Sequence, residues 1–191
     1  MTEYWKYGHW ADDEYLKRSK PPYSDINTWS NIVYVIAGAL YFLQTGDERF
    51  AIAMFWLGLG SAVYHAFKTI RCCGINWAAG SDDSGMFAVL GYLATGSWIG
   101  LLTGALFGLM RNKFDPKVNL NHAIGIVFAI IVLQAGVTWM NGLAILTFGL
   151  AYLAWNLDRE RWAPMPIARW CHGVWHLLTA IGFYLLAMVG A

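Results

Sequence analysis

The chain contains five histidines, and three of them, His65, His172 and His176, fall within or at the ends of long apolar runs. An ionisable ring in such a run is costly and needs a partner. His172 and His176 are four residues apart, so on a helix their imidazoles share one face and can share a metal ion. Three imidazoles suit a tetrahedral Zn2+ with its fourth position open, and a nearby carboxylate can serve as general base. Asp82 and Asp83 offer that carboxylate. Ser61 lies four residues before His65, on the same helical face, and offers a hydroxyl to a developing oxyanion. Each feature also has a plain structural reading. A His pair can bond across helices, and a serine beside Gly58 and Gly60 can mark a helix contact. Acids at a helix start favour its dipole. His122, beside Asn121, reads as an interfacial polar residue rather than a ligand.

The elements that must position these groups are apolar helices. Of the 191 residues, 58% are hydrophobic and 13% charged, about half the charged share of a typical globular domain. Long apolar runs of this kind read as membrane spans. The net charge is +1, and the basic residues lie between the runs with no patch or stripe, so nucleic acid is not an expected partner. The three cysteines give no disulfide framework. Residues 1–26 form a polar arm with no apolar leader segment, closed by Pro21-Pro22. Residues 27–191 form the apolar domain. Spans are expected over Asn27–Gln44, Phe50–Phe67, Asn76–Thr95, Gly96–Phe114, Asn119–Met140, Leu143–Leu157 and Ile167–Gly190. Polar turns are expected at Gly46–Arg49, Arg111–Lys117, Asn141-Gly142 and Asp158–Pro166, with a loop after Phe67 that carries Cys72 and Cys73.

The stretch from Trp77 to Met110 would reach ~50 Å as one helix, against a hydrocarbon core of ~30 Å. Gly96, Gly100, Gly104 and Gly108 recur every fourth residue, which marks a separate span with a face open to close helix contact. Seven spans then place 12 of the 13 Lys and Arg on the N-terminal side, with Arg49 alone opposite. The positive-inside rule puts that side, and the N-terminus, in the cytoplasm. The same count brings His65, Asp82-Asp83, His172 and His176 to one membrane depth. The expected fold class is therefore an all-α, seven-helix membrane bundle with a zinc site near the cytoplasmic face.

Five segments resemble the alkaline ceramidase family, seven-helix membrane hydrolases related to the adiponectin receptors. They are Asn27-Thr28-Trp29-Ser30-Asn31, Gly58-Leu59-Gly60-Ser61-Ala62-Val63-Tyr64-His65, Asp82-Asp83-Ser84-Gly85-Met86, Trp155-Asn156-Leu157-Asp158, and His172 through Ala180. They occur in family order and cover the chain from about Asn27 to its end. The resemblance implies zinc held by His65, His172 and His176, with Ser61 and Asp82 as the catalytic serine and aspartate. It implies hydrolysis of the amide bond of ceramide-like membrane lipids, giving a sphingoid base and a fatty acid. It also implies calcium as a second ion, held by Asp12, Asp13, Glu14 and Asp25. Two departures stand out. Gly85 replaces the proline usual before Met86, and the loop between His65 and Asp82 is longer, which keeps Asp83 open as the acid. Asp25 also sits one place closer to the Asn-Thr pair than the pattern has it. Successive helix positions differ by ~100°, so Asp82 shares a face with Met86 and Asp83 with Phe87. Rival readings are a lipid-ester hydrolase or receptor-like relative, an intramembrane serine protease using Ser61, a haem protein with His ligands, and a purely structural membrane protein.

Overall fold

The computed structural model describes residues 25–67, 71–72, 75–114, 120–159 and 165–190. Over these residues the chain forms α1 (Asp25–Trp29), α2 (Ile32–Thr45), α3 (Glu48–Phe67), α4 (Trp77–Thr95), α5 (Trp98–Phe114), α6 (Leu120–Ala135), α7 (Trp139–Arg159) and α8 (Met165–Gly190). Between α3 and α4 a two-residue antiparallel ladder pairs β1 (Arg71–Cys72) with β2 (Ile75–Asn76). The expected loop is thus a short hairpin. Helices are the physical answer to these apolar runs, because a helix bonds its backbone groups within the segment.

Four stretches are long and apolar enough to cross a membrane: Ile26–Thr45, Glu48–Phe67, Trp139–Asp158 and Trp170–Gly190. Trp98–Met110 and Ala123–Gln134 are shorter apolar helices. Large apolar side chains face outward on most of them, among them Leu43, Ile99, Leu133 and Leu146. A surface of this kind calls for lipid or a partner. Trp77, Trp98 and Trp139 each open a helix and are exposed, as interfacial aromatics are.

The bundle is organised around α4. Residues Ser84 to Leu90 are buried without interruption, and α3, α5, α6 and α8 all pack on this helix. Small residues allow the close contacts. A Cβ on Gly60 would run into the Ser81 carbonyl, and one on Gly85 into the Leu57 backbone, so α3 and α4 meet almost backbone to backbone. Gly100, Gly104 and Gly108 of α5 meet the carbonyls of Gly91, Phe87 and Asp83 in α4 in the same way. The expected glycine face is therefore a helix contact for three of its four members. Gly96 instead makes the turn before α5, with φ 61° and its N–H bonded to the Tyr92 carbonyl at 2.7 Å, so that helix starts at Trp98.

Three other boundaries shift for local reasons. The first expected span is interrupted at Ser30-Asn31, where the Asn31 amide bonds the Asn27 carbonyl at 2.6 Å. The fifth ends at Ala135, because Gly136 takes φ 76°. Asn141-Gly142 is not a turn but lies in the first turns of α7. The Thr138 hydroxyl accepts from the Asn141 N–H at 3.2 Å, and the Asn141 amide closes on the Gly136 carbonyl at 2.7 Å. Asp158 and Arg159 belong to α7 rather than to the loop that follows. Asp12, Asp13 and Glu14, the implied calcium acids, lie outside the described residues, and Asp25 is the first residue of α1.

The α2 and α8 helices run side by side and parallel. The Tyr34 hydroxyl bonds Thr179 Oγ1 at 2.6 Å, and near the other end Tyr184 bonds Gln44. At that same end a polar staple ties two turns together. Asp47 accepts from the Arg49 N–H and Nε at 2.9 Å, from Nη2 at 2.7 Å, and from the Tyr92 hydroxyl at 2.8 Å. Arg49 Nη1 reaches across to the Gly96 carbonyl at 2.7 Å.

Two predictions follow from this packing. Gly104→Ala should force α4 and α5 apart and lower stability by about 1–3 kcal/mol, the usual cost of overpacking. Gly125→Ala and Gly149→Ala, where an added Cβ meets nothing within 4 Å, should not. Thermal unfolding in detergent separates the three. The second concerns Asp47, whose carboxyl is held down at about 2, chiefly by its hydrogen bonds from Arg49. The unfolded value is ~3.9, so the stabilisation is complete above that pH and is lost as pH falls toward 2. Asp47→Asn should flatten stability in that window, measured by unfolding from neutral to strongly acid buffer.

Candidate metal centre

His65 is in the last turn of α3, and His172 and His176 lie in the first half of α8. All three are at most 1% exposed. One ring nitrogen from each lies within 4.8 Å of the others. Ring centroids are 4.6 Å apart for His65 and His172, 5.2 Å for His65 and His176, and 4.7 Å for His172 and His176. The three side chains, predicted from spacing to converge, are brought together and lie close enough to hold a metal ion.

The donor chemistry fits that reading. His65 Nε2 and His172 Nε2 are 3.1 Å apart. Nitrogens ~2.0–2.1 Å from a tetrahedral ion stand ~3.3 Å from one another. His172 Nδ1 bonds Asp158 Oδ2 at 2.9 Å, with both side chains buried. A carboxylate on the far ring nitrogen is the usual outer partner of a metal-bound imidazole. His176 Nδ1 meets the Ser30 hydroxyl at 2.7 Å. Tyr34 lies beside this ring, with centroids 5.7 Å apart.

Ser61 stands one turn before His65 and is buried, and its Oγ has no hydrogen-bond partner among the described residues. Asp82 is half-buried near the start of α4. Its backbone N–H lies against Gly60, next to Ser61, and its carboxylate lies within electrostatic reach of the Tyr34 hydroxyl. The Asp83 backbone faces elsewhere, with its carbonyl against Gly108 of α5, and Phe87 follows it onto Gly104. The two adjacent acids therefore sit on sides of α4 that meet different neighbours. His122 is in the first turn of α6.

Sequence reasoning assigned no role to Asp158 or Ser30. Both stood in segments already notable for their composition, Trp155–Asp158 and Asn27–Asn31. Nothing in their spacing tied either one to a histidine on α8.

No family model matches the chain, and no curated protein or solved structure is similar enough to count as a relative.

The group should retain a divalent metal through purification in detergent, near one equivalent per chain. Alanine at His65, His172 or His176 should each remove it, because three ligands cannot spare one. His122→Ala should keep it. Elemental analysis of the four variants decides. Loss in His122→Ala with retention in His65→Ala would place the centre elsewhere.

Proposed function

We infer that this chain is a zinc-dependent hydrolase of membrane lipid amides, acting on ceramide-like substrates as the alkaline ceramidases it resembles do. The observation that carries the reading is the convergence of three buried imidazoles beside an unpartnered serine hydroxyl, within helices whose outer faces are apolar. His65, His172 and His176 would hold the metal. Zinc bound there supplies a Lewis acid that polarises the amide carbonyl and makes water acidic enough to attack at neutral pH.

The chain's own groups do the rest. Asp82 accepts the proton of the attacking water as the carbon–oxygen bond forms. The Ser61 hydroxyl donates to the oxyanion that develops on the carbonyl oxygen. Asp82 then returns its proton to the leaving nitrogen as the carbon–nitrogen bond breaks, giving a fatty acid and a sphingoid base. The apolar exterior lets the acyl chains remain in lipid while the amide reaches the polar end of the bundle. Proton, oxygen and leaving group all balance with water as the only co-reactant.

Topology is part of the proposal. Seven crossings make the first and last spans parallel, and the parallel pairing of α2 with α8 supports that count. The 12-to-1 distribution of Lys and Arg then places the N-terminus and the histidine end in the cytoplasm. Calcium remains a proposed second ion, through Asp12, Asp13, Glu14 and Asp25. A serine-protease reading is less well supported, since an activated serine needs a base within hydrogen-bond reach and Ser61 Oγ has none among the described residues.

The test is ceramide hydrolysis at matched zinc content. Asp82→Asn should keep the metal and lose ~10²–10⁴ in rate, the usual worth of a general base. Asp83→Asn should lose far less. The reverse order would move the role to Asp83. Intact hydrolysis by metal-free protein would end the mechanism. Cleavage of lipid esters but not amides would keep the centre and change the substrate.

A further inference from the structure

Two polar segments outside the histidine triad each send one side chain to it. We propose that Asp158 and Ser30 are positioning residues that set the tautomers of His172 and His176, so that both rings present a bare Nε2 to one cation. This rests on reading the triad as a metal centre.

The argument for His172 is one of proton inventory. A carboxylate only accepts hydrogen bonds. Asp158 Oδ2 at 2.9 Å therefore requires a proton on His172 Nδ1. In the neutral ring Nε2 is then bare, and Nε2 is the atom that approaches His65 at 3.1 Å. With His65 Nε2 bare as well, the pair calls for a cation between them; with that atom protonated, the pair is a plain hydrogen bond.

His176 reaches the same state by a different route. Ser30 has one hydroxyl proton. Its Oγ donates that proton to the Asn27 carbonyl at 3.3 Å. His176 Nδ1, at 2.7 Å, is a second acceptor within reach of the same proton; with the proton given to the Asn27 carbonyl, Oγ accepts from Nδ1–H and Nε2 is left bare, the state proposed here. The Asn31 amide bonds the same Asn27 carbonyl at 2.6 Å and holds it in place. The Asn27–Asn31 interruption between α1 and α2 thus acts as a bracket for one imidazole, and the last turn of α7 as a bracket for the other.

The competing account is that both contacts merely satisfy buried polar groups. That account does not require the two rings to agree, whereas the proposal requires the proton on Nδ1 in both. The partners also differ in kind. Asp158 brings a negative charge to the His172 ring, whereas Ser30 orients without charge, so Asp158 should matter more.

The experiment uses the full chain in detergent and reads zinc affinity by chelator competition. Asp158→Asn and Ser30→Ala should weaken zinc binding ~10–100-fold, the usual effect of removing an outer partner, with Asp158→Asn the larger loss. Ser30→Thr, which keeps the hydroxyl, should restore affinity. Nitrogen NMR of the zinc-loaded wild type should show His172 and His176 protonated at Nδ1 and metal-bound at Nε2, a result available even where a variant fails to fold. Unchanged affinity in both variants, or an Nε2 proton on either ring, overturns the proposal. The two levels separate cleanly. If His65→Ala loses zinc while Asp158→Asn and Ser30→Ala keep it, the centre stands and the positioning role falls. If the wild type binds no zinc, both fall.

Discussion

On the proposed reading, three buried imidazole nitrogens gather at one point because a cation sits among them. That constraint shapes everything near the histidine end. It explains why the imidazoles are almost wholly buried despite the cost of placing ionisable rings there. It explains why a fully buried carboxylate, Asp158, is tolerated beside them, since a buried anion needs a nearby compensating charge. It also explains why a serine, rather than a second acid, stands behind His176. Asp158 already supplies one negative charge, and a neutral hydroxyl fixes a ring without adding another.

Convergence on this scale depends on backbones that approach closely. His65 and Ser61 reach the centre from α3, and α3 is held against α4 by Gly60 and Gly85. The same contact puts the Asp82 backbone next to Gly60, the neighbour of Ser61. The glycines of α5 grip the opposite side of α4 and take Asp83 with them. A helix enclosed on several sides needs no amphipathic stripe. This is why α4 carries Ser81, Asp82 and Asp83 near its start and still lies at the centre of the bundle.

Much of this was legible in the residues. The spacing of His172 and His176, and an even number of crossings between them and His65, were enough to bring them level with His65. The fourfold glycine repeat announced a close contact, and three of its members make one. The repeat could not reveal that Gly96 would instead take a left-handed turn, because position in a repeat says nothing of backbone sign. Asn141-Gly142 misled for a related reason. The dipeptide favours turns, but Thr138 had already capped the helix three residues earlier. Asp158 and Ser30 were invisible as site residues because each is a short polar side chain near a helix end. There the ordinary expectation is a cap or a solvated terminus, and only the folded bundle shows which ring each one meets.

The placement of the centre at one end of the helices follows from the chemistry proposed for it. An amide in a membrane lipid lies near the polar boundary, with its chains in the hydrocarbon. A centre at mid-depth would have to draw that polar group into the core and admit water to follow it. A centre in the last turn of α3, the last turn of α7 and the first turns of α4 and α8 needs neither. On the proposed reading, water and the released amine would exchange with the boundary while the acyl chains stay along the apolar outer faces. The opposite end carries no comparable demand on the same reading. Its staple of Asp47, Arg49 and Tyr92 is fully hydrogen-bonded and ties two turns, which suits a structural brace. Two polar clusters in one small bundle thus divide the work. One ties two turns together through hydrogen bonds. The other brings three buried imidazoles together, close enough to hold a metal ion.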